Sequence, residues 1–167
     1  MSQNVLVTYA TKTGATAEVA AAIGRVLSAR GLAVTVKPII DKLSLDGFQA
    51  VVIGSPIRMS NWLPEVMQFI RANRARLGQL PTAIFTVHRL NAGDDAASRK
   101  ARLAYTAPVR KFLNPQAEVF FTGALDSNKL SFVDRLLARA VDPASAAGEG
   151  EDRDWDKMRG WAQSILP

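Results

Sequence analysis

The sequence predicts an α/β protein built on a parallel sheet with helices on both sides. Three observations carry this reading. Short apolar runs alternate along the chain with stretches of helical periodicity. One run, Ala50-Val51-Val52-Ile53-Gly54, is continuously apolar, as expected of a strand buried on both faces. The spacers between runs have the length of right-handed helical crossovers, so the strands should run parallel.

Each element follows from local pattern. Asn4 to Tyr9 reads as the first strand, and Ala15 to Ala29 as an alanine-rich helix closed by Gly31 at the C′ position. Ala33 to Val36 alternates into a second strand that Pro38 stops, and the third spans Ala50 to Gly54. Pro64 to Leu77 is helical, with Val66, Met67, Phe69, Ile70 and Leu77 on or near one face. Pro81 to Val87 is the fourth strand, and Ser98 to Leu113 the helix after it. Pro115 breaks the chain before a fifth strand, Ala117 to Leu125. Trp155, Met158, Trp161, Ala162 and Ile165 space a last amphipathic helix.

The chain of 167 residues suits one domain with a core of its own. With 48% apolar and 22% charged residues, a disordered or fibrous chain is excluded. The absence of cysteine removes disulfides, thiolate metal sites and cysteine nucleophiles. Met1-Ser2-Gln3-Asn4 carries no basic region and precedes too short an apolar run for a signal peptide. No apolar segment approaches the roughly 20 residues that span a bilayer. The expected location is cytoplasmic.

The net charge of +6 is unevenly placed: from Arg58 to Lys111, ten Lys/Arg stand against three acids, giving +7 there and −1 elsewhere. Such a field attracts nucleic acid, acidic head groups or a carboxylate-bearing substrate. Nucleic acid is the weakest of these, because no recognition signature is visible and no aromatics interleave with the basic residues to stack bases.

The chemistry concentrates in the exit loops of three strands. The first is Thr11-Lys12-Thr13-Gly14-Ala15-Thr16, between the first strand and its helix. Helix-start N–H groups, the helix dipole and three hydroxyls together favour an anion there, and Gly14 lets the backbone approach it. In a doubly wound sheet, ligands sit outside the carboxyl ends of the strands, where this loop lies. It fits neither the ATP phosphate loop nor the dinucleotide Gly-x-Gly-x-x-Gly pattern. Thr11-x-Thr13-Gly14-x-Thr16 fits [ST]-x-T-G-x-T, the FMN phosphate-loop pattern of flavodoxins, at every defined position. A turn that merely caps a helix is the bland alternative.

The second loop, Gly54-Ser55-Pro56-Ile57-Arg58-Met59-Ser60-Asn61-Trp62, follows the third strand. Ser55, Pro56, Ile57 and Arg58 are its candidate cofactor contacts. Ile57, Met59 or Trp62 could cover one face of a ring, unless Trp62 packs under the following helix. Arg58 is a candidate catalytic residue, facing the substrate or negative charge on a reduced cofactor; the alternative is an exposed basic side chain. The third loop, Thr86-Val87-His88-Arg89-Leu90-Asn91-Ala92-Gly93, leaves the fourth strand, and the backbone of Val87, His88, Arg89, Leu90 and Asn91 supplies further candidate contacts. His88, the single histidine, is a candidate proton carrier. Neither a metal cluster nor a Ser/His/Asp set can be assembled from these residues.

The chain resembles the flavodoxin superfamily and, within it, the menaquinone-dependent protoporphyrinogen oxidases. Besides the phosphate loop, the resemblance rests on Val51-Val52-Ile53-Gly54-Ser55-Pro56-Ile57-Arg58 and Arg110-Lys111-Phe112-Leu113. Further along it takes in Gly123-Ala124-Leu125 and the tail from Asp134-Arg135 through Gly148-Glu149 to Asp154-Trp155. Met59 stands where the family often has an aromatic after the arginine. The resemblance implies a three-layer α/β/α sandwich with a five-stranded parallel sheet in the order 2-1-3-4-5. It also implies bound FMN, a porphyrinogen-type substrate and a quinone acceptor such as menaquinone.

The segment at about 127–150 resembles the insertion these oxidases carry near the flavin. Leu130, Val133, Leu136, Leu137, Ala140 and Val141 form an apolar stripe beside Lys129, Arg135 and Arg139. On a helix, 129–141 could lie on a membrane surface and reach quinone there, or pack on its own domain. Asp142 to Asp154, rich in Ala, Gly and acid, reads as a loop or lid.

The resulting expectation is an FMN-dependent oxidoreductase that passes electrons from an organic substrate to a quinone. Two other classes stand beside it. A flavodoxin carrying electrons between protein partners is one, although such carriers are typically acidic and this surface is basic. A binding protein with no cofactor is the other, and a colourless preparation that refuses FMN would favour it. The sequence leaves the quaternary state open.

Overall fold

The computed structural model describes residues 3–12, 14–40, 42–88, 93–122 and 149–166. The main sheet has five parallel strands: β1 (Asn4–Tyr9), β2 (Ala33–Pro38), β3 (Ala50–Arg58), β5 (Thr82–His88) and β6 (Ala117–Thr122). Their order is β2-β1-β3-β5-β6, and the two-residue strand β4 (Asn61–Trp62) pairs antiparallel with the far end of β3. Leaving aside that short return, the parallel strands follow the expected 2-1-3-4-5 order.

The strands that flank others on both sides carry the apolar runs. β5 is buried at every position, and β3 from Ala50 to Ser55. β2, at the sheet edge, is mostly exposed and ends in Lys37 and Pro38, residues that discourage further pairing. Helix α1 (Ala15–Ala29) buries Val19, Ala20, Ile23 and Leu27 against one face of the sheet. Gly24 lets it settle close to β2, since a Cβ there would lie 2.5 Å from Val36 Cγ2. Gly31, with φ of 91°, closes this helix as the C′ residue.

The last helix, α5 (Glu149–Ser164), packs beside α1 with Met158, Ala162 and Ile165 buried. Arg30 clamps its end: the guanidinium donates to the carbonyls of Ala162 at 2.9 Å, Ile165 at 2.5 Å and Leu166 at 2.8 Å. The Ala162 carbonyl belongs to the last turn, where a helix leaves acceptors without partners, and the other two lie just past the helix end.

The opposite face is covered by α2 (Pro64–Ala72), α3 (Arg74–Leu77) and α4 (Ala96–Arg110) over Leu6, Val51, Ile53 and Ile84. The single helix expected from Pro64 to Leu77 breaks at Asn73, whose side-chain amide donates to Phe69 O at 2.9 Å. α4 begins two residues earlier than expected because Asp95 caps it, accepting from Ser98 N at 3.0 Å. The third strand runs four residues past Gly54, to Arg58, before turning back. Beyond Thr122 the expected fifth strand leaves the described residues. So do most of the 127–150 insertion and the whole 129–141 stripe, with its expected membrane contact. No helix of the described residues is long and apolar enough to cross a membrane.

Candidate functional site

At the exit of β1 the chain turns into α1 through Gly14, which has φ of 93° and acts as the helix N-cap. This left-handed geometry is one that glycine adopts without strain. No side chain caps the helix. Glu18 N bonds to Gly14 O at 3.1 Å, as an ordinary first helical hydrogen bond, so the earlier first-turn N–H groups have no intrahelical acceptor. A Cβ added at Gly14 would meet nothing within 4 Å, so the backbone stands open on that side. Thr11 Oγ1 accepts from Gly14 N at 3.0 Å, which folds the loop and leaves the hydroxyl proton to donate outward. Thr16 is buried in the first turn, Ala15 lies beside it, and Lys12 is exposed at the tip. Thr13 lies outside the described residues. An uncapped helix start, an open glycine and the Thr11 hydroxyl beside it are donors of the kind a phosphate needs.

The β3 exit is a hairpin rather than a loose loop. Ile57 pairs with Trp62 and Arg58 with Asn61, around a turn at Met59 and Ser60. Both turn residues have positive φ, 53° and 63°, as in the two-residue turn that suits twisted strands. Met59 is 87% exposed, the most of any large apolar side chain among the described residues. Arg58 is exposed, and Pro56 and Ile57 are half-buried. Ser55 is fully buried: its hydroxyl accepts from Leu63 N at 3.0 Å and donates to Pro56 O at 2.8 Å. A contact from Ser55 to a ligand is therefore left to its backbone.

Trp62 is 3% exposed and turned inward, its indole N–H donating to Thr86 Oγ1 at 3.0 Å. Of the three side chains considered for covering a ring, Trp62 is thus the one held in the core.

At the β5 exit, Val87 and His88 are buried. His88 shares the α2–α4 face of the sheet with Thr86. Its ring packs edge-on to Phe120 at 6.0 Å between centroids and tilted against Tyr105 of α4 at 6.1 Å. Arg89, Leu90 and Asn91 lie outside the described residues. After them, Arg102 donates to Gly93 O at 2.6 Å, and Asp95 Oδ1 accepts from the Ser98 hydroxyl at 2.7 Å. The two Ser98 hydrogen bonds, the side-chain one first, hold the Asp95 carboxyl below its ordinary pKa.

Chain direction divides the basic middle third between two ends of the molecule. Arg58 and the first half of α4, with Arg99, Lys100 and Arg102, lie toward the carboxyl ends of the strands. Arg71, Arg74, Arg110 and Lys111 lie at the other end, where Arg71 and Arg74 stack over Phe112 at 5.8 and 5.5 Å. There Arg110 also meets Glu118 at 3.2 Å. Only the first group borders the loops that would hold a ligand.

The three exits gather at the carboxyl ends of adjacent strands β1, β3 and β5. A family model described as "Flavodoxin domain" matches residues 6–151 of the sequence. The chain belongs to the flavodoxin family. FMN is its cofactor, and the open start of α1 fits the FMN phosphate. Among curated relatives, protoporphyrinogen IX dehydrogenase [quinone] of Escherichia coli K12 is 25% identical over 174 residues, covering 96% of this chain and 93% of the relative. Solved structures with the same fold include flavodoxin 2 of Bacillus cereus, with TM-score 0.61, 16% identity and coverage of 95% and 94%. A flavodoxin from the domain Archaea has TM-score 0.58, 17% identity and coverage of 98% and 96%.

Sequence reasoning placed Thr86 at the start of the third loop but missed the role of its hydroxyl, which receives the Trp62 indole. A hydroxyl inside an apolar strand was the available signal, since a buried hydroxyl needs a partner. It also missed the Asp95-x-x-Ser98 cap, which was legible as an N-cap acid beside a small hydroxyl.

Proposed function

We propose that this flavodoxin-family protein is an FMN-dependent oxidoreductase that oxidises a porphyrinogen, protoporphyrinogen IX, and reduces a quinone. The observation that carries the reading is the near end-to-end match to a relative named for that reaction. The geometry supports the cofactor half: the Thr11–Thr16 loop would hold the phosphate, and the loops after β3 and β5 would flank the ring.

FMN, when bound, supplies the two-electron chemistry, taking electrons from the substrate and returning them to the quinone. The protein's part is placement and charge. Arg58, at the root of the hairpin tip, offers a fixed positive charge beside the ring site. Arg99, Lys100 and Arg102 extend that field along α4, where it suits the carboxylates of a porphyrinogen. The exposed apolar Met59 beside Arg58 offers a surface for a flat, apolar substrate. His88, packed between Tyr105 and Phe120, is better placed to shape the β5 exit than to exchange protons with solvent.

The test begins with the spectrum of the purified protein and FMN uptake by the apoprotein, followed by porphyrinogen-dependent reduction of quinones under anaerobic conditions. Charge reversal at Arg58, Arg89 or Arg99 is expected to raise KM for the porphyrinogen with little change in quinone KM. Absence of porphyrinogen-dependent quinone reduction by FMN-loaded protein would refute the substrate assignment.

A further inference from the structure

We propose that Trp62 is a positioning residue for the flavin: its hydrogen bond to Thr86 fastens the β3–β4 hairpin to the end of β5 and so sets both ring-flanking loops together. The inference rests on the FMN reading of the site.

The hairpin extends past the point where β3 has a neighbour on both sides. β3 pairs with β1 only as far as Gly54 and with β5 as far as Pro56. Beyond Pro56 its register partners are Trp62 and Asn61 of β4 alone. Two-stranded ribbons are marginal on their own. This one also turns through two non-glycine residues at positive φ, Met59 and Ser60, a region that most side chains avoid. Its two ladder pairs are therefore supplemented by side-chain contacts.

There are two such contacts. The Ser55 hydroxyl accepts from Leu63 N at 3.0 Å, closing the base of the hairpin onto its own first strand. The Trp62 indole donates to Thr86 Oγ1 at 3.0 Å, and this bond alone of the two reaches a different loop's strand. Both partners are shielded from water, Trp62 at 3% exposure and Thr86 at 0%. The bond competes with no solvent, and loss of either partner leaves a buried polar group unsatisfied. Thr86 lies directly before Val87 and His88, described residues of the third loop. Fixing the hairpin to Thr86 thus fixes it relative to Val87 and His88 at the end of β5. The phosphate loop, at the end of β1 on the other side of β3, shares neither contact.

The test measures FMN and riboflavin binding to the apoproteins of Trp62→Phe, Thr86→Val, the double variant and Thr86→Ser, with urea unfolding of each apoprotein alongside. Trp62→Phe and Thr86→Val are each expected to weaken FMN about tenfold, within the range for an orphaned buried group. The double variant should be no weaker than either single one, because both remove the same bond. Thr86→Ser, which keeps the acceptor, should bind FMN like the wild type. The ratio of riboflavin to FMN dissociation constants should not change, since the phosphate loop is untouched.

FMN affinity within twofold of wild type in Trp62→Phe or Thr86→Val, with only the unfolding midpoint lowered, would reduce Trp62 to a core residue and overturn the proposal. Additive losses in the double variant would overturn it as well. If Trp62→Phe does not fold, Thr86→Val against Thr86→Ser decides the matter by the same readouts. A wild-type apoprotein that takes up no FMN would instead overturn the cofactor reading itself.

Discussion

Gly54→Ala is expected to cost this protein about 3 kcal/mol, at the upper end of the usual range for overpacking a core. Gly54 on β3 lies in register with Phe85 on β5. The Phe85 ring leans across it: a Cβ at position 54 would lie 2.0 Å from Cζ and 2.3 Å from Cε1 and Cε2. Ordinary contacts begin near 3.4 Å, so the ring would have to withdraw by well over an ångström. It has nowhere to go, because Phe85 is fully buried among Val7, Val52, Val87 and Phe121. Backbone strain plays no part, since Gly54 is not among the residues of positive φ.

Urea unfolding of the apoprotein measures the effect. With a slope of about 2 kcal/mol per molar, the midpoint should fall by about 1.5 M with the slope unchanged. Phe85→Leu costs stability by itself, as a large-to-small core change. Combined with Gly54→Ala it should recover part of the loss, giving a double variant more stable than the sum of the singles predicts. A midpoint within 0.3 M (about 0.6 kcal/mol at that slope) of wild type, or strict additivity, would refute the close-approach argument. The consequence reaches the site, because Gly54 O accepts from Ala10 N at 3.2 Å and ties the first loop to the second.

Arg30→Met removes three carbonyl partners from the end of α5 while keeping much of the aliphatic stem; a loss of about 2–3 kcal/mol is expected, with faster amide exchange in 156–166 as the local readout. Gly14→Ala places a Cβ in open space but at φ of 93°, so apoprotein stability should fall by only about 1 kcal/mol, and Gly14→Asn by less. Asp95 has a lowered carboxyl pKa in the folded protein. Its contribution should therefore be complete above the ordinary carboxylate pKa of about 3.9 and lost as pH falls through the lower folded value. Urea midpoints of wild type and Asp95→Asn should differ at pH 7 and converge toward pH 2.

Much of the architecture was written in residue pattern alone. The continuous apolar run at 50–54 required a strand covered on both faces, and the alanine-rich stretch after Gly14 required a helix with a small-residue face. Thr11 to Thr16 stood out as a candidate phosphate site because its chemistry is local: hydroxyls, a glycine and a helix start are adjacent in the chain. Charge composition was equally legible, but its placement was not. Arg71 and Arg58 lie thirteen residues apart in sequence, yet α2 carries one to the far end of the molecule while the other stays at the site.

What the tertiary structure decided are the matters that depend on residues distant in sequence. That Trp62 turns inward is a consequence of Thr86, 24 residues away, offering a buried acceptor. That β3 continues into a hairpin follows from pairing partners that Gly54 and Pro56 gave no reason to expect. His88 looked available as the single histidine, and its confinement comes from Tyr105 and Phe120, which reach it from a helix and a neighbouring strand. Sequence determines directly what neighbouring residues do together. Which side chains meet across the sheet, and hence how the β3 hairpin is held to β5, is fixed only when the strands are paired.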